Sequence, residues 1–273
     1  MRFVHRVGIV RPKIGIALSG GSTHGAAHIG VLRVLEREGI RPNFLAGTSA
    51  GALVGCAYAA GIPLDEITDI FKSMSWPQLL RPSFIHSLSL FDTSPMEKFL
   101  REKIGDGNFQ DLDIPFAAVA CDIVTSEKVV LNKGPLAPAI RASASIPGLF
   151  NPIELDGRLL VDGGIVDNLP VSEVRKMGAD YVIAIDLSRR EGHNKKPENP
   201  VEVILDMFEI MQGRTALPDP SECDCYIRPE VHQYSKWDFA KADVVIRQGE
   251  LAAEKSLEKL RADLHLKKIP GEN

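Results

Sequence analysis

Short apolar runs alternate with helical patterns along most of this 273-residue chain. The clearest runs are KIGIALSGG (13–21) and DYVIAIDL (180–187), and each is long enough for one buried strand. Strands that are apolar throughout, rather than at every second position, are typical of parallel sheets with helices on both faces. The alternation therefore predicts a three-layer α/β/α fold around a mostly parallel central sheet.

Composition and charge exclude several kinds of partner and site. The net charge of −4 gives no basic field for nucleic acid, and the four cysteines have no spacing typical of a zinc site or a disulfide framework. The longest apolar run, 50–60, is too short to span a bilayer. Without internal repeats or a clear linker, we expect a single domain over residues 1–273 and a cytoplasmic protein.

The stretch FLAGTSAG (44–51) places Ser49 where a strand ends and a helix begins. Gly47 and Gly51 allow the tight turn that presents such a serine. At a helix N-terminus, the dipole and unpaired N–H groups favour developing negative charge. Ser49 is therefore a candidate nucleophile, although the pattern also fits a glycine-rich turn with an N-capping serine.

Two residues are candidates for accepting the Ser49 proton. Asp162 in RLLVDGG ends an apolar strand, which predicts a place at the sheet edge where ligands bind, and Gly163 and Gly164 allow a turn. A carboxylate there can act as a general base, but the segment also fits an Asp-Gly turn without a catalytic role. An α/β-hydrolase would instead use His232, in an order that this chain fits poorly.

A glycine-rich loop, SGGSTHG (19–25), separates the first strand from the first helix. It has neither the lysine of a phosphate-binding Walker A loop nor a dinucleotide fingerprint. Its N–H groups can still converge on an anion. We therefore expect an oxyanion hole made mainly by the N–H groups of Gly20, Gly21 and Ser22.

In this order, the glycine-rich loop, GTSAG and DGG resemble the patatin-like phospholipase family over about residues 13–190. RASASIPGLFNP (141–152) adds to the resemblance. The resemblance implies a serine acyl hydrolase that acts on fatty-acyl esters of lipids without metal or cofactor. It makes Ser49 the nucleophile and Asp162 the base. The supporting motif positions are His24, Gly25, Gly47, Gly51, Gly163 and Gly164.

The loop departs from the family pattern at two positions. Ser22 replaces a glycine but still offers an N–H group, and His24 stands where the family usually has arginine or lysine. Because histidine loses its charge near neutral pH, we expect weaker oxyanion stabilisation at high pH than with arginine. The altered loop leaves open an alternative, a weakly active or inactive lipid-binding regulatory protein on the same scaffold.

A segment rich in leucine and aromatic residues, MSWPQLLRPSFIHSLSLF (74–91), follows the third predicted helix. It fits either a cap that touches lipid and lines an acyl channel, or helices packed on the core. The expected partners are therefore a lipid or acyl-ester substrate and, transiently, a membrane surface, with no nucleic acid.

Overall fold

A computed structural model of the chain describes residues 12–83, 88–189, 192, 196–216, 222–235 and 237–266. Within these ranges, the strands are Ile14–Leu18 (β1), Phe44–Thr48 (β2), Arg81–Pro82 (β3), Phe91–Asp92 (β4), Phe116–Asp122 (β5), Lys128–Leu131 (β6), Ile153–Leu155 (β7), Arg158–Asp162 (β8), Tyr181–Ile185 (β9) and Cys225–Ile227 (β10). The α-helices are Ala26–Arg37 (α1), Ala50–Ala59 (α2), Leu64–Ser73 (α3), Trp76–Leu79 (α4), Ser94–Ile104 (α5), Leu136–Ser143 (α6), Val171–Lys176 (α7), Pro200–Thr215 (α8) and Ala242–Asp263 (α9).

The central sheet contains five parallel strands in the order β10-β9-β1-β2-β5. Alternate residues of these strands face opposite sides of the sheet. On β1, Ile16 and Leu18 pack in a core shared with α1 and α9, whereas Ala17 packs in a second core with Val174 of α7. Helices therefore cover both faces, and the predicted three-layer fold with a mostly parallel sheet is confirmed.

Each of the remaining strands of this sheet pairs antiparallel with its neighbour, and this decides how Asp162 comes to lie near Ser49. β6 and β8 pair antiparallel with β5, and β7 pairs antiparallel with β8. Asp162 ends its strand as expected, but that strand is antiparallel to β5 and not one of the parallel strands of the sheet. Thr48 at the end of β2 is paired with Val119, and Asp162 is paired with the next residue, Ala120. β8 therefore pairs with the part of β5 that lies just beyond β2. This places Asp162, the last residue of β8, beside the turn that follows β2.

The segment predicted as a cap or as packed helices forms α4 and a short hairpin of β3 and β4. Its residues 84–87 lie outside the described residues. Among the helices of the described ranges, none is both long and apolar enough to cross a bilayer.

Candidate active site

Ser49 lies in a strained turn between β2 and α2. Its φ of 54° and ψ of −118° belong to a region that residues with a side chain rarely adopt. The neighbouring backbone is so close that a Cβ on Gly51 would lie 2.2 Å from the Leu18 carbonyl oxygen, and one on Gly47 would lie 2.4 Å from the Gly51 carbonyl oxygen. Glycine is required at both positions, and the turn presents Ser49 at the start of α2.

The end of α6 connects Ser49 to Asp162. The Ser49 amide donates to Ser143 Oγ at 3.0 Å, and Ser143 Oγ donates to the Val119 carbonyl at 2.6 Å. Two residues further on, the Ser145 carbonyl accepts a hydrogen bond of 2.8 Å from the Asp162 amide. The backbones of the candidate nucleophile and base are therefore held by one short segment, a role that motif comparison did not assign to these serines.

Asp162 is fully buried, and its carboxylate lies against Ser49 and Gly164. The Gly164 amide donates to Oδ1 at 2.8 Å. Burial raises the pKa of Asp162 to about 7, and interaction with the Ser49 hydroxyl and the Gly164 amide opposes the rise. Oδ2 has no partner among the described residues that meets strict hydrogen-bond geometry, so the Ser49 contact is loose. Catalytic hydrogen bonds are often loose in free enzymes and tighten when substrate binds.

The glycine-rich loop lies beside Ser49, since a Cβ on Gly20 would be 3.1 Å from Ser49 Cβ. The Gly20 amide, however, donates to the Asn168 carbonyl at 3.2 Å, which commits its one hydrogen. The Gly20 amide is therefore not available in this structure as the oxyanion donor that the sequence predicts. The Gly21 and Ser22 amides make no hydrogen bond with the described residues, and Ser22 adopts a left-handed φ of 53°.

The remaining glycines of the motifs lie at close contacts around this turn. Gly25 faces the Ala50 side chain, Gly163 faces the Val119 backbone, and Gly164 faces the Gln212 side chain. All of the predicted glycine positions are therefore close to Ser49, to Asp162 or to their immediate supports.

Neither His24 nor His232 lines the cavity beside Ser49. His24 Nε2 donates to the Tyr234 carbonyl at 2.9 Å, and its ring centroid lies 5.9 Å from that of His232. Both rings line a different pocket, to which charged side chains such as that of Arg189 contribute. The structure thus does not bring His232 to Ser49, as the α/β-hydrolase alternative requires, and it directs the His24 side chain away from the Ser49 cavity.

Other titratable side chains near this sheet edge support the backbone. His28 is fully buried, donates Nε2–H to the Ser19 carbonyl at 2.8 Å, and has its pKa lowered to about 4 by burial. Asp122 and Asp186 each accept a backbone hydrogen bond from the residue two positions later. Over the described ranges, no group of three His, Cys, Asp or Glu side chains is arranged to hold a metal ion.

A narrow apolar cavity that opens to solvent begins at Ser49 and Ser22. The segment predicted to line an acyl channel contributes Met74, Trp76 and Leu79. The α8 helix contributes the apolar side chains of Leu205 and Phe208, and also Gln212. A largely apolar recess with a few polar groups at one end fits an acyl chain whose ester lies at Ser49.

A sequence model described as patatin-like phospholipase matches residues 16–175, which is more than half of the chain. The chain belongs to this family. The match confirms the resemblance that the glycine-rich loop, GTSAG and DGG indicate, and it ends before α8 and α9.

Several relatives are much longer than the region they share with this chain. The chain is 37% identical to an uncharacterised NTE family protein of Mycobacterium tuberculosis, over 77% of this chain and 59% of that protein. It is 34% identical to a patatin-like phospholipase domain-containing protein of Caenorhabditis elegans, over 86% of this chain and 20% of that protein. Its identity to the lysophospholipase NTE1 of Yarrowia lipolytica is 28%, over 94% of this chain and 20% of that protein.

Among solved structures, full-length ExoU of Pseudomonas aeruginosa, in complex with SpcU, is similar with a TM-score of 0.52. The match covers 93% of this chain and 53% of ExoU at 16% identity, so it shows a shared fold.

Proposed function

We propose that this chain is a serine acyl hydrolase that cleaves fatty-acyl esters of lipids with Ser49 as nucleophile and Asp162 as general base. The observation that carries the proposal is the meeting of a strained serine with a buried carboxylate, whose pKa is about 7, at the mouth of an apolar cavity. Membership of the patatin-like phospholipase family, and a relative named as a lysophospholipase, support a lipid ester as the substrate.

In the acylation half-reaction, Ser49 Oγ attacks the ester carbonyl carbon while its proton passes to Asp162 Oδ2. The carbonyl oxygen becomes an oxyanion, which the amides of Gly21 and Ser22 stabilise from the glycine-rich loop. The carbon–oxygen bond to the alcohol then breaks, and the alcohol leaves with the proton from Asp162. The acyl group remains on Ser49, with its chain in the apolar cavity.

In the deacylation half-reaction, a water molecule gives its proton to Asp162 and attacks the acyl carbon. The second tetrahedral intermediate collapses, the proton returns from Asp162 to Ser49 Oγ, and the fatty acid leaves. Asp162 performs both steps because a base with a pKa near 7 can accept and release a proton readily at neutral pH.

A fluorophosphonate probe tests the nucleophile directly. We expect the probe to form one adduct on Ser49, which mass spectrometry of peptides would locate, and no adduct in Ser49→Ala. Ser73→Ala, on the outer face of α3, is the control and should label like the wild type. An unlabelled wild-type protein that still binds fatty acid would instead establish the lipid-binding alternative.

The proposed substrate also implies contact with a membrane surface. An apolar groove of about 1070 Å³, including open space, adjoins the Ser49 cavity, and Trp76, Phe150, Leu205 and Trp237 line both. On the same helix as Leu205, the outward side chains of Met207 and Ile210 are 56% and 63% exposed. We propose that this face of α8 touches a lipid surface, so that a lipid can enter the cavity without crossing water.

Replacing both Met207 and Ile210 by serine should weaken this contact. Burying two such side chains in lipid contributes about 1.5–3 kcal/mol each, so we expect vesicle affinity to fall by at least tenfold. Flotation with neutral phosphatidylcholine vesicles measures the affinity, and hydrolysis of a soluble p-nitrophenyl ester should remain unchanged. Val244→Ser on α9 is the exposed control. Unchanged flotation of the double variant would contradict the proposed contact.

A further inference from the structure

Gln212, in the last turn of α8, is a polar side chain in an otherwise apolar wall of the Ser49 cavity. The Gln212 side chain is 5% exposed. Among the described residues that line the cavity, the other polar residues without an aromatic ring are Ser22 and Ser49. The turn that bears it is fixed to the loop after Asp162, because Thr215 Oγ1 donates to the Gly164 carbonyl at 2.7 Å. A buried amide at this end of the cavity requires a partner.

The Gln212 carboxamide lies between the two loops that surround Ser49. Its Nε2 atom would be 2.8 Å from a Cβ on Gly20 and 2.9 Å from a Cβ on Gly164. The same position on Gly20 is 3.1 Å from Ser49 Cβ. The Gln212 carboxamide and Ser49 therefore lie beside the same point next to Gly20 and line the same cavity, which is the space that an ester carbonyl must enter for Ser49 to attack it.

These N–H groups are not used within the described part of the chain, where the Gln212 side chain makes no hydrogen bond. Asn168 Oδ1 is the acceptor beside the same two glycines, and it has no hydrogen-bond partner there either. Gln212 therefore does not serve to satisfy Asn168. The Gly20 amide, by contrast, is already committed to the Asn168 carbonyl, which leaves the glycine-rich loop with two amides for an oxyanion.

We propose that Gln212 is a catalytic residue that donates an Nε2–H hydrogen bond to the oxyanion and completes a three-donor hole with the amides of Gly21 and Ser22. The inference rests on the proposed acyl-hydrolase function. No covalent bond to Gln212 forms or breaks, since it acts only by stabilising the charge on the former carbonyl oxygen. α8 thereby supplies both the wall of the acyl cavity and one donor of the reaction centre.

The test compares Gln212→Met, which keeps the volume and removes the N–H groups, with Gln212→Glu, which keeps the shape and replaces the donor by an acceptor. Loss of one oxyanion donor lowers kcat by about 10²- to 10³-fold in such sites. We expect a fall of that order for Gln212→Met and at least as large a fall for Gln212→Glu, with KM changed less than about threefold. Gln110→Glu on the surface is the matched control.

A second measurement separates catalysis from packing. A trifluoromethyl ketone with an acyl chain adds to Ser49 as a hemiketal oxyanion, whereas the corresponding alkyl amide does not. Gln212→Met should bind the ketone more weakly by the same factor as its loss of kcat and bind the amide as the wild type does. Equal weakening for both ligands, or a wild-type kcat in a folded Gln212→Met protein, would overturn the role of Gln212. Failure of the wild type to react with fluorophosphonate would instead overturn the proposed function itself.

Discussion

Asp162→Asn should lower kcat for ester hydrolysis by about 10³- to 10⁴-fold, because asparagine fills the same space but cannot accept the Ser49 proton. Asparagine can still accept the hydrogen bond that the Gly164 amide donates to Oδ1. In the wild type, kcat/KM should rise with pH through a pKa of about 7, as Asp162 becomes the carboxylate. Asp69→Asn on the surface of α3 is the control for both measurements.

The same substitution should stabilise the protein at alkaline pH. The pKa of Asp162 is raised from 3.8 to about 7, so between these values the folded state binds more protons at this site than the unfolded chain does. The contribution of Asp162 to the free energy of unfolding of the wild type therefore falls as the pH rises from about 4 to about 7. An asparagine at this position does not titrate, so the stability of Asp162→Asn relative to the wild type should rise by about 4 kcal/mol between pH 4 and pH 8.

Urea unfolding of both proteins at pH 4, 6 and 8 measures this difference. A constant difference across the three pH values would show that Asp162 is not destabilised as a buried carboxylate. Full hydrolytic activity of a folded Asp162→Asn protein would rule out its role as general base.

Gly51→Ala should damage both stability and activity. Alanine is favoured over glycine in a helix by about 1 kcal/mol, but overpacking costs about 1–3 kcal/mol where neighbours can shift. Here the new Cβ would lie 2.2 Å and 2.6 Å from the Leu18 carbonyl oxygen and carbon, which are backbone atoms of a central strand. We therefore expect a net destabilisation of about 2 kcal/mol or more.

The clash should also move the Ser49 turn, and a displacement of about 1 Å can reduce the rate on the order of 10²-fold. Thermal unfolding and the rate of fluorophosphonate labelling measure the two effects. Gly107→Ala is the matched control, since its Cβ would have nearest neighbours at 3.7 and 3.9 Å. Wild-type labelling and stability in Gly51→Ala would show that the turn is less constrained than the distances imply.

The sequence predicts the turn at Ser49 well, because the geometry of that turn is set by neighbouring residues. Ser49 follows from a glycine on each side at a strand-to-helix turn, and the structure shows the backbone contacts that require those glycines. The sequence places Asp162 at the end of a strand but does not give the direction of that strand: β8 is antiparallel to β5 and pairs with it directly beyond the residues of β5 that pair with β2. Strand direction depends on pairing between distant segments, and apolar runs alone do not encode it.

Contacts between distant segments explain the other differences. Gly20 is a plausible donor in the sequence, but its amide is committed to Asn168, which lies far along the chain. Gln212 lies outside the family match and in no recognised motif. Only the packing of α8 against the turn after Asp162 places it near Ser49. A long amphipathic helix with one glutamine gives no sign of such a role.

The arrangement at the end of α6 has a consequence for how this centre tolerates change. Ser143 holds the backbone of the candidate nucleophile and Ser145 holds that of the candidate base, two residues apart in a single short stretch. The distance between these two hydrogen bonds therefore fixes the distance between the backbones of Ser49 and Asp162. A shift of this stretch would therefore move Ser49 and Asp162 together and preserve their separation, whereas an insertion between Ser143 and Ser145 would move them apart even with both side chains retained.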